Sequence, residues 1–195
     1  MKTIKLLLLA TGLFVLTLPG KAQLFPNTYM NIDWQSNFPV GSGLFADKAS
    51  GWGMNFEGGY YFCPRMAVGL FINYQTNLGN SALTAAQKHA LFQLPFGVAS
   101  RYVFLPESVL QPYVGTKIGA CYAEMSSYYY TVKQYSDSWG FYFSPEVGVS
   151  IFPRPDYRLG FHVAAFYSIA TNSSEVLGYT LDNIGGFGLR VGVSF

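Results

Sequence analysis

The sequence predicts an all-β protein: a closed antiparallel up-and-down barrel of eight strands that crosses a membrane, preceded by a cleavable leader. Three observations lead there. Eight runs alternate apolar with small or polar residues at period two, the side-chain period of a strand. Hydrophobic residues make up 50% of the chain, aromatics 18% and charged residues 11%, against about 25% charged in soluble domains. Finally, short and long connections between the runs alternate in order.

The leader is MKTIKLLLLATGLFVLTLPGKAQ. Lys2 and Lys5 precede an apolar run from Leu6 to Leu18, and small residues follow at Gly20 and Ala22. That is the layout of a secretory signal peptide, residues 1–22, cut after Ala22. The run is short for a membrane helix of about 20 residues, and no later apolar stretch reaches that length. One domain over residues 23–195 is expected to remain.

The first run sets Met30, Ile32 and Trp34 against Asn31, Asp33 and Gln35. The second sets Trp52, Met54, Phe56, Tyr60 and Phe62 against Asn55, Glu57 and Gly59. The third sets Val68, Leu70, Ile72 and Tyr74 against Ala67, Gly69, Asn73 and Gln75. The fourth sets Phe92, Leu94, Phe96, Val98, Tyr102 and Phe104 against Gln93, Gly97, Ala99 and Arg101.

The second half repeats the pattern. Val114, Ile118 and Tyr122 oppose Gly115, Lys117 and Gly119; Trp139, Phe141, Phe143, Val147 and Val149 oppose Ser144, Glu146, Gly148 and Ser150. Leu159, Phe161, Val163, Tyr167 and Ile169 oppose Gly160, His162, Ala164 and Ser168. The eighth run, GGFGLRVGVSF, carries Phe187, Leu189, Val191, Val193 and Phe195 on one face and Gly188, Arg190, Gly192 and Ser194 on the other. The central stretch of each apolar face lacks charge. A lipocalin-like soluble barrel needs its apolar face inside, yet here the charges share a face with Gly, Ala and Ser.

Short turns at CPRM and PRPDYR and the moderate LPESVLQ alternate with long polar stretches: SNFPVGSGLFADKAS, TNLGNSALTAAQK, SSYYYTVKQYSDS and TNSSEVLGYTLDN. Runs of about ten residues joined this way are the pattern of outer-membrane barrels. Pro95 and Pro145 fall inside runs. Each forfeits a ladder hydrogen bond and is expected to mark a bulge.

The polar face carries charge at similar heights: Asp33, Glu57, Arg101, Lys117, Glu146 and Arg190. An eight-stranded barrel is just wide enough for side chains to fill, so three carboxylates and three cations are expected to meet across its axis. The expected pairs are Lys117 with Glu146 and Arg190 with Asp33, with Glu57 between Arg101 and Arg190. Such a cluster is a gate or the packed core of a solid barrel; Phe71, Tyr61 and Tyr142, also pointing inward, favour the core.

Other chemistries find little support. Cys63 and Cys121 are read as separate free thiols. His89 and His162 keep no metal-ligand spacing, and no cofactor is expected. A net charge of +2 does not argue for nucleic acid. The rival class is an outer-membrane enzyme, a lipid A deacylase or acyltransferase with His162 as base. The local sequence FHVAAFYS has Ala164 where the deacylase spacing would place Ser, so His162 reads as a packing or hydrogen-bonding residue.

QLPFGVASRYVF, QPYVGTKIGACYA and the terminal Phe195 resemble the small eight-stranded outer-membrane barrels of the OmpA/OmpX kind, the "outer membrane protein beta-barrel domain" or porin family. The resemblance implies an outer-membrane location, lipid around the barrel, and a last strand ending at Phe195 that the barrel-insertion machinery reads. It supplies no catalytic residues. An extracellular partner is expected at the long loops. Tyr128, Tyr129, Tyr130 and Tyr135 are either a contact surface there or an aromatic girdle where strands leave the membrane.

Overall fold

The computed structural model describes residues 27–40, 49–80, 87–129, 132–153, 159–176 and 179–195. They form eight strands: β1 (Thr28–Val40), β2 (Ala49–Cys63), β3 (Met66–Asn80), β4 (Gln87–Val103), β5 (Leu110–Tyr129), β6 (Val132–Ile151), β7 (Gly160–Val176) and β8 (Tyr179–Ser194). Each pairs antiparallel with the next, and β8 returns to pair with β1, which closes the barrel. Closure leaves no edge strand, so backbone polar groups are paired between strands, as a lipid environment requires. The seam extends to Phe195, whose N–H donates to the Met30 carbonyl at 2.8 Å and whose carbonyl accepts from Met30 N–H at 3.1 Å.

The two faces separate as the alternation predicts. The outer face exposes large apolar side chains, Leu70 at 69% and Trp139 at 65% among them. Ring contacts Trp52–Tyr74–Phe92 and Phe96–Trp139–Tyr122 lie toward the long-hairpin end, and Tyr102–Phe104 toward the short-turn end. Aliphatic residues such as Ile72, Val98, Ile118 and Val163 occupy the band between them. An apolar band flanked by aromatic rings is what a bilayer selects on a barrel exterior.

Two expectations are corrected. Pro95 and Pro145 mark no bulge. Pairing of β3 with β4 stops after Ile72↔Phe96 and resumes at Gln75↔Gln93 in the same register. That of β6 with β7 likewise breaks around Pro145 and resumes in register at Glu146↔Phe166. A missing N–H removes a bond toward one neighbour only, so each proline stays paired on its other side, with Cys121 and Thr116. The register shifts lie instead at Tyr61/Cys63 and Ala170/Ser173.

Among the described residues, the ends of the long polar stretches are also strand, not loop. Residues 126–129 and 132–138 continue β5 and β6, with Ser126 opposite Tyr135 and Tyr129 opposite Val132. Residues 171–176 and 179–183 likewise extend β7 and β8, up to Val176↔Tyr179. Polar sequence continues as strand because pairing satisfies its backbone, and Tyr, Thr and Val favour the extended form.

Candidate functional site: a charged belt inside the barrel

Side chains facing inward come from odd-numbered residues of β1–β5 and even-numbered residues of β6–β8, and they fill the lumen in layers. Glycines make the room. A Cβ on Gly59 would lie 2.7 Å from the ring of Tyr29, which leans inward across it. Gly192 stands between Asp33 on β1 and His162 on β7 in the paired rows. A Cβ there would lie 2.5 Å from Asp33 Oδ1.

The six charged residues read from the sequence are brought together, each no more than 4% exposed. Glu57 Oε1 accepts from Arg101 Nη2 at 2.6 Å and from Tyr29 OH at 2.9 Å. Lys117 Nζ bridges two carboxylates, lying 2.7 Å from Glu57 Oε2 and 2.7 Å from Glu146 Oε2. Glu146 Oε2 also takes Arg190 Nη1, and Oε1 accepts from Tyr113 OH at 3.0 Å. The Tyr113 hydroxyl meets His162 Nε2 at 2.7 Å, and His162 Nδ1 meets Asp33 Oδ1 at 2.6 Å. Asn55 Nδ2 donates to Asp33 Oδ2 at 2.8 Å, and Arg190 Nε donates to Gln35 Oε1 at 2.9 Å. The belt is thus one continuous network that draws side chains from every strand except β3.

Aromatic faces shield the cations. Arg101 lies 4.1 Å from the ring centre of Tyr29 and 4.3 Å from that of Tyr113, and Arg190 lies 3.9 Å from that of Phe166. Guanidinium groups stack well on such faces because they are planar and weakly hydrated. Opposite charges at hydrogen-bond distance offset the desolvation that an isolated buried ion would suffer.

Above the belt, toward the long hairpins, lies a layer of amides including Asn37, Asn73, Gln75, Asn77 and Gln93. Above and beside it an apolar cluster contains Leu91, Met125, Ala123, Ala170 and Ile184.

Two expected pairings are corrected. Arg190 does not pair with Asp33. The β1–β8 register sets Arg190 beside Gln35 and Asp33 beside Gly192, so Arg190 reaches Glu146 while Asp33 reaches His162 across the glycine. Glu57 lies between Arg101 and Lys117, not Arg101 and Arg190. The network's Tyr29, Tyr113, Gln35 and Asn55 were not singled out from the sequence, although their parity with Asp33, Lys117 and Glu57 marks them as inward. Of the tyrosines proposed as a surface, Tyr128 and Tyr129 stand on β5 and Tyr135 is exposed on β6. Tyr130 and the leader, 1–22, lie outside the described residues.

A closed barrel with a lipid-matched exterior and an ionic interior defines a class, the outer-membrane β-barrel protein. The chain belongs to the outer membrane protein beta-barrel domain family, whose sequence profile matches residues 6–195. Among solved structures it is similar to OprG of Pseudomonas aeruginosa, at 16% identity and a TM-score of 0.57 over 86% of this chain and 94% of that one. Neisserial surface protein A gives 16% and 0.55 over 86% and 95%. Ail of Yersinia pestis, in its complex with sucrose octasulfate, gives 13% and 0.56 over 87% and 98%. At these identities the likeness is one of fold. No curated protein sequence matches the chain. The protein is an outer-membrane barrel surrounded by lipid.

Proposed function

We propose that this barrel is a closed, non-enzymatic anchor in the outer membrane, with its short turns in the periplasm and its long hairpins held outside for contact with a partner. The observation that carries this reading is the continuous ion network from Asp33 to Arg101, seated beneath an amide layer and an apolar cluster. An open channel needs a hydrated path, whereas here charged groups spend their bonds on one another. His162 supports the non-enzymatic side: it is fully buried, with both ring nitrogens engaged by Asp33 and Tyr113. A general base needs access to its substrate's proton. The same reading includes cleavage of the leader after Ala22 and recognition of the Phe195 strand by the insertion machinery. Planar-bilayer recording of the purified protein tests it. We expect no stable conductance, and resolved single-channel steps would replace the anchor by a pore.

A further inference from the structure

The amide layer above the belt leaves part of its hydrogen-bonding capacity unspent inside the barrel, and the unspent groups share one wall. In the paired rows, Asn77 on β3, Gly51 on β2 and Asn37 on β1 stand side by side, with Gly188 of β8 beyond Asn37. The next row deeper sets Gln75 beside Gly53. β1 and β3 lie about 10 Å apart, two strand spacings, and the glycine between them carries no side chain to fill the interval. A Cβ on Gly51 would lie 1.9 Å from Asn77 Oδ1, so the Asn77 carboxamide leans over it. Beside these amides is a small cavity whose walls also include Gln93, Phe166 and Ile184. A water's centre can range over about 10 Å³ of it. That is close to the roughly 10–15 Å³ that one water needs, and far short of a larger ligand.

What fits there follows from the groups on its wall. Asn37, Gln75 and Asn77 are each no more than 5% exposed. Among the described residues, Asn37 Nδ2, Asn37 Oδ1, Gln75 Nε2 and Asn77 Oδ1 have no hydrogen-bond partner. These are two donors and two acceptors. A cation would face the N–H donors and an anion the carbonyl oxygens, so either ion opposes half of the set. Water donates twice and accepts twice, and it matches both halves. Interchanging oxygen and nitrogen in the Asn37 carboxamide leaves the count unchanged, because that side chain contributes one of each. A buried polar group without a partner costs about 1–3 kcal/mol. A buried water, which makes about three hydrogen bonds, offsets that cost at several groups together.

We propose that one structural water is held here by Asn37, Gln75 and Asn77, joining β1 to β3 across Gly51 and completing the packing above the charged belt. The site does not rest on the anchor reading, which conductance tests; a hydrated pore would place water in the belt as well. The test is NMR of the isotope-labelled barrel in lipid nanodiscs, reading nuclear Overhauser contacts between side-chain carboxamides and the water resonance. We expect contacts at Gln75 Nε2 and Asn37 Nδ2, and none at Asn55 Nδ2, which donates to Asp33. Asn37→Leu should remove the Gln75 contact, whereas Asn37→Ser, which still donates and accepts, should keep it. Ser168→Ala removes a hydroxyl from the cavity wall and should also keep it. Heat-modifiable gel mobility checks that each variant has assembled, and the native protein decides the matter if one has not. No water contact at Gln75 in the native protein would overturn the proposal. So would a Gln75 contact that survives Asn37→Leu, one that disappears in Ser168→Ala, or contacts at Asn55 as strong as those at Gln75.

Discussion

At the residue scale, the belt depends on what is missing as much as on what is charged. Gly192 lets Asp33 and His162 meet, because any side chain at 192 would occupy the space of Asp33 Oδ1. Gly192→Ala should push the Asp33 carboxylate off the imidazole and set its methyl against the Ile32 carbonyl oxygen, 2.1 Å from the ideal Cβ position, at about 1–3 kcal/mol or more for overpacking. Urea unfolding in lipid vesicles would register it as a lower midpoint. Tyr113→Phe removes the hydroxyl between Glu146 and His162 and leaves a buried acceptor and a ring nitrogen unpaired. That loss should cost about 1–3 kcal/mol, and the same assay reads it. Tyr142→Phe is the contrast, since its hydroxyl accepts one long bond, from Asn73 Nδ2 at 3.4 Å, among the described residues. It leaves Asn73 Nδ2 without that long bond, so it should lower the midpoint less than Tyr113→Phe.

At the element scale, β5 and β6 are the longest strands, and their hairpin stands beyond the aromatic contacts of Tyr122 and Trp139. None of the charged belt lies in this outer part. Replacing residues 126–135 with a short turn should therefore leave a heat-modifiable barrel while abolishing any surface contact the hairpin makes, which gel mobility and whole-cell binding assays would separate. At the other end, Phe195 closes the β1 seam through two backbone bonds with Met30. A substitution keeps those bonds, so Phe195→Ser probes the ring alone. If the insertion machinery reads that aromatic, Phe195→Ser should reduce assembled barrel in the outer membrane far more than Ser194→Ala, which loses one hydroxyl bond to Asn31. Equal amounts of the two variants would restrict Phe195 to a lipid-facing role.

At the scale of the whole molecule, period-two alternation made the strand number, closure and facing legible, since one face must meet lipid and the other a narrow lumen. The membership of the belt was legible for the same reason: parity and height along the strand placed Asp33, Glu57, Arg101, Lys117, Glu146 and Arg190 together. Its wiring was not. Which carboxylate takes Arg190 depends on the β1–β8 register and on the gap at Gly192, and neither is visible in local pattern. Polar composition likewise hid the strand extensions of β5 to β8, because a paired hairpin above the bilayer needs no apolar face. The central claim is that these buried charges form one interacting core, and Lys117, shared by Glu57 and Glu146, is its most informative member. Glu146→Gln leaves Arg190 and Lys117 with too little negative charge, whereas adding Lys117→Met relieves that excess. Breaking one partner of a buried ion pair costs about 3–5 kcal/mol, and removing both costs far less. The direct measurement is a double-mutant cycle by urea unfolding in lipid vesicles on Lys117→Met, Glu146→Gln and the combination. The belt predicts that the double variant is markedly more stable than the sum of the single losses implies, and strict additivity would contradict it.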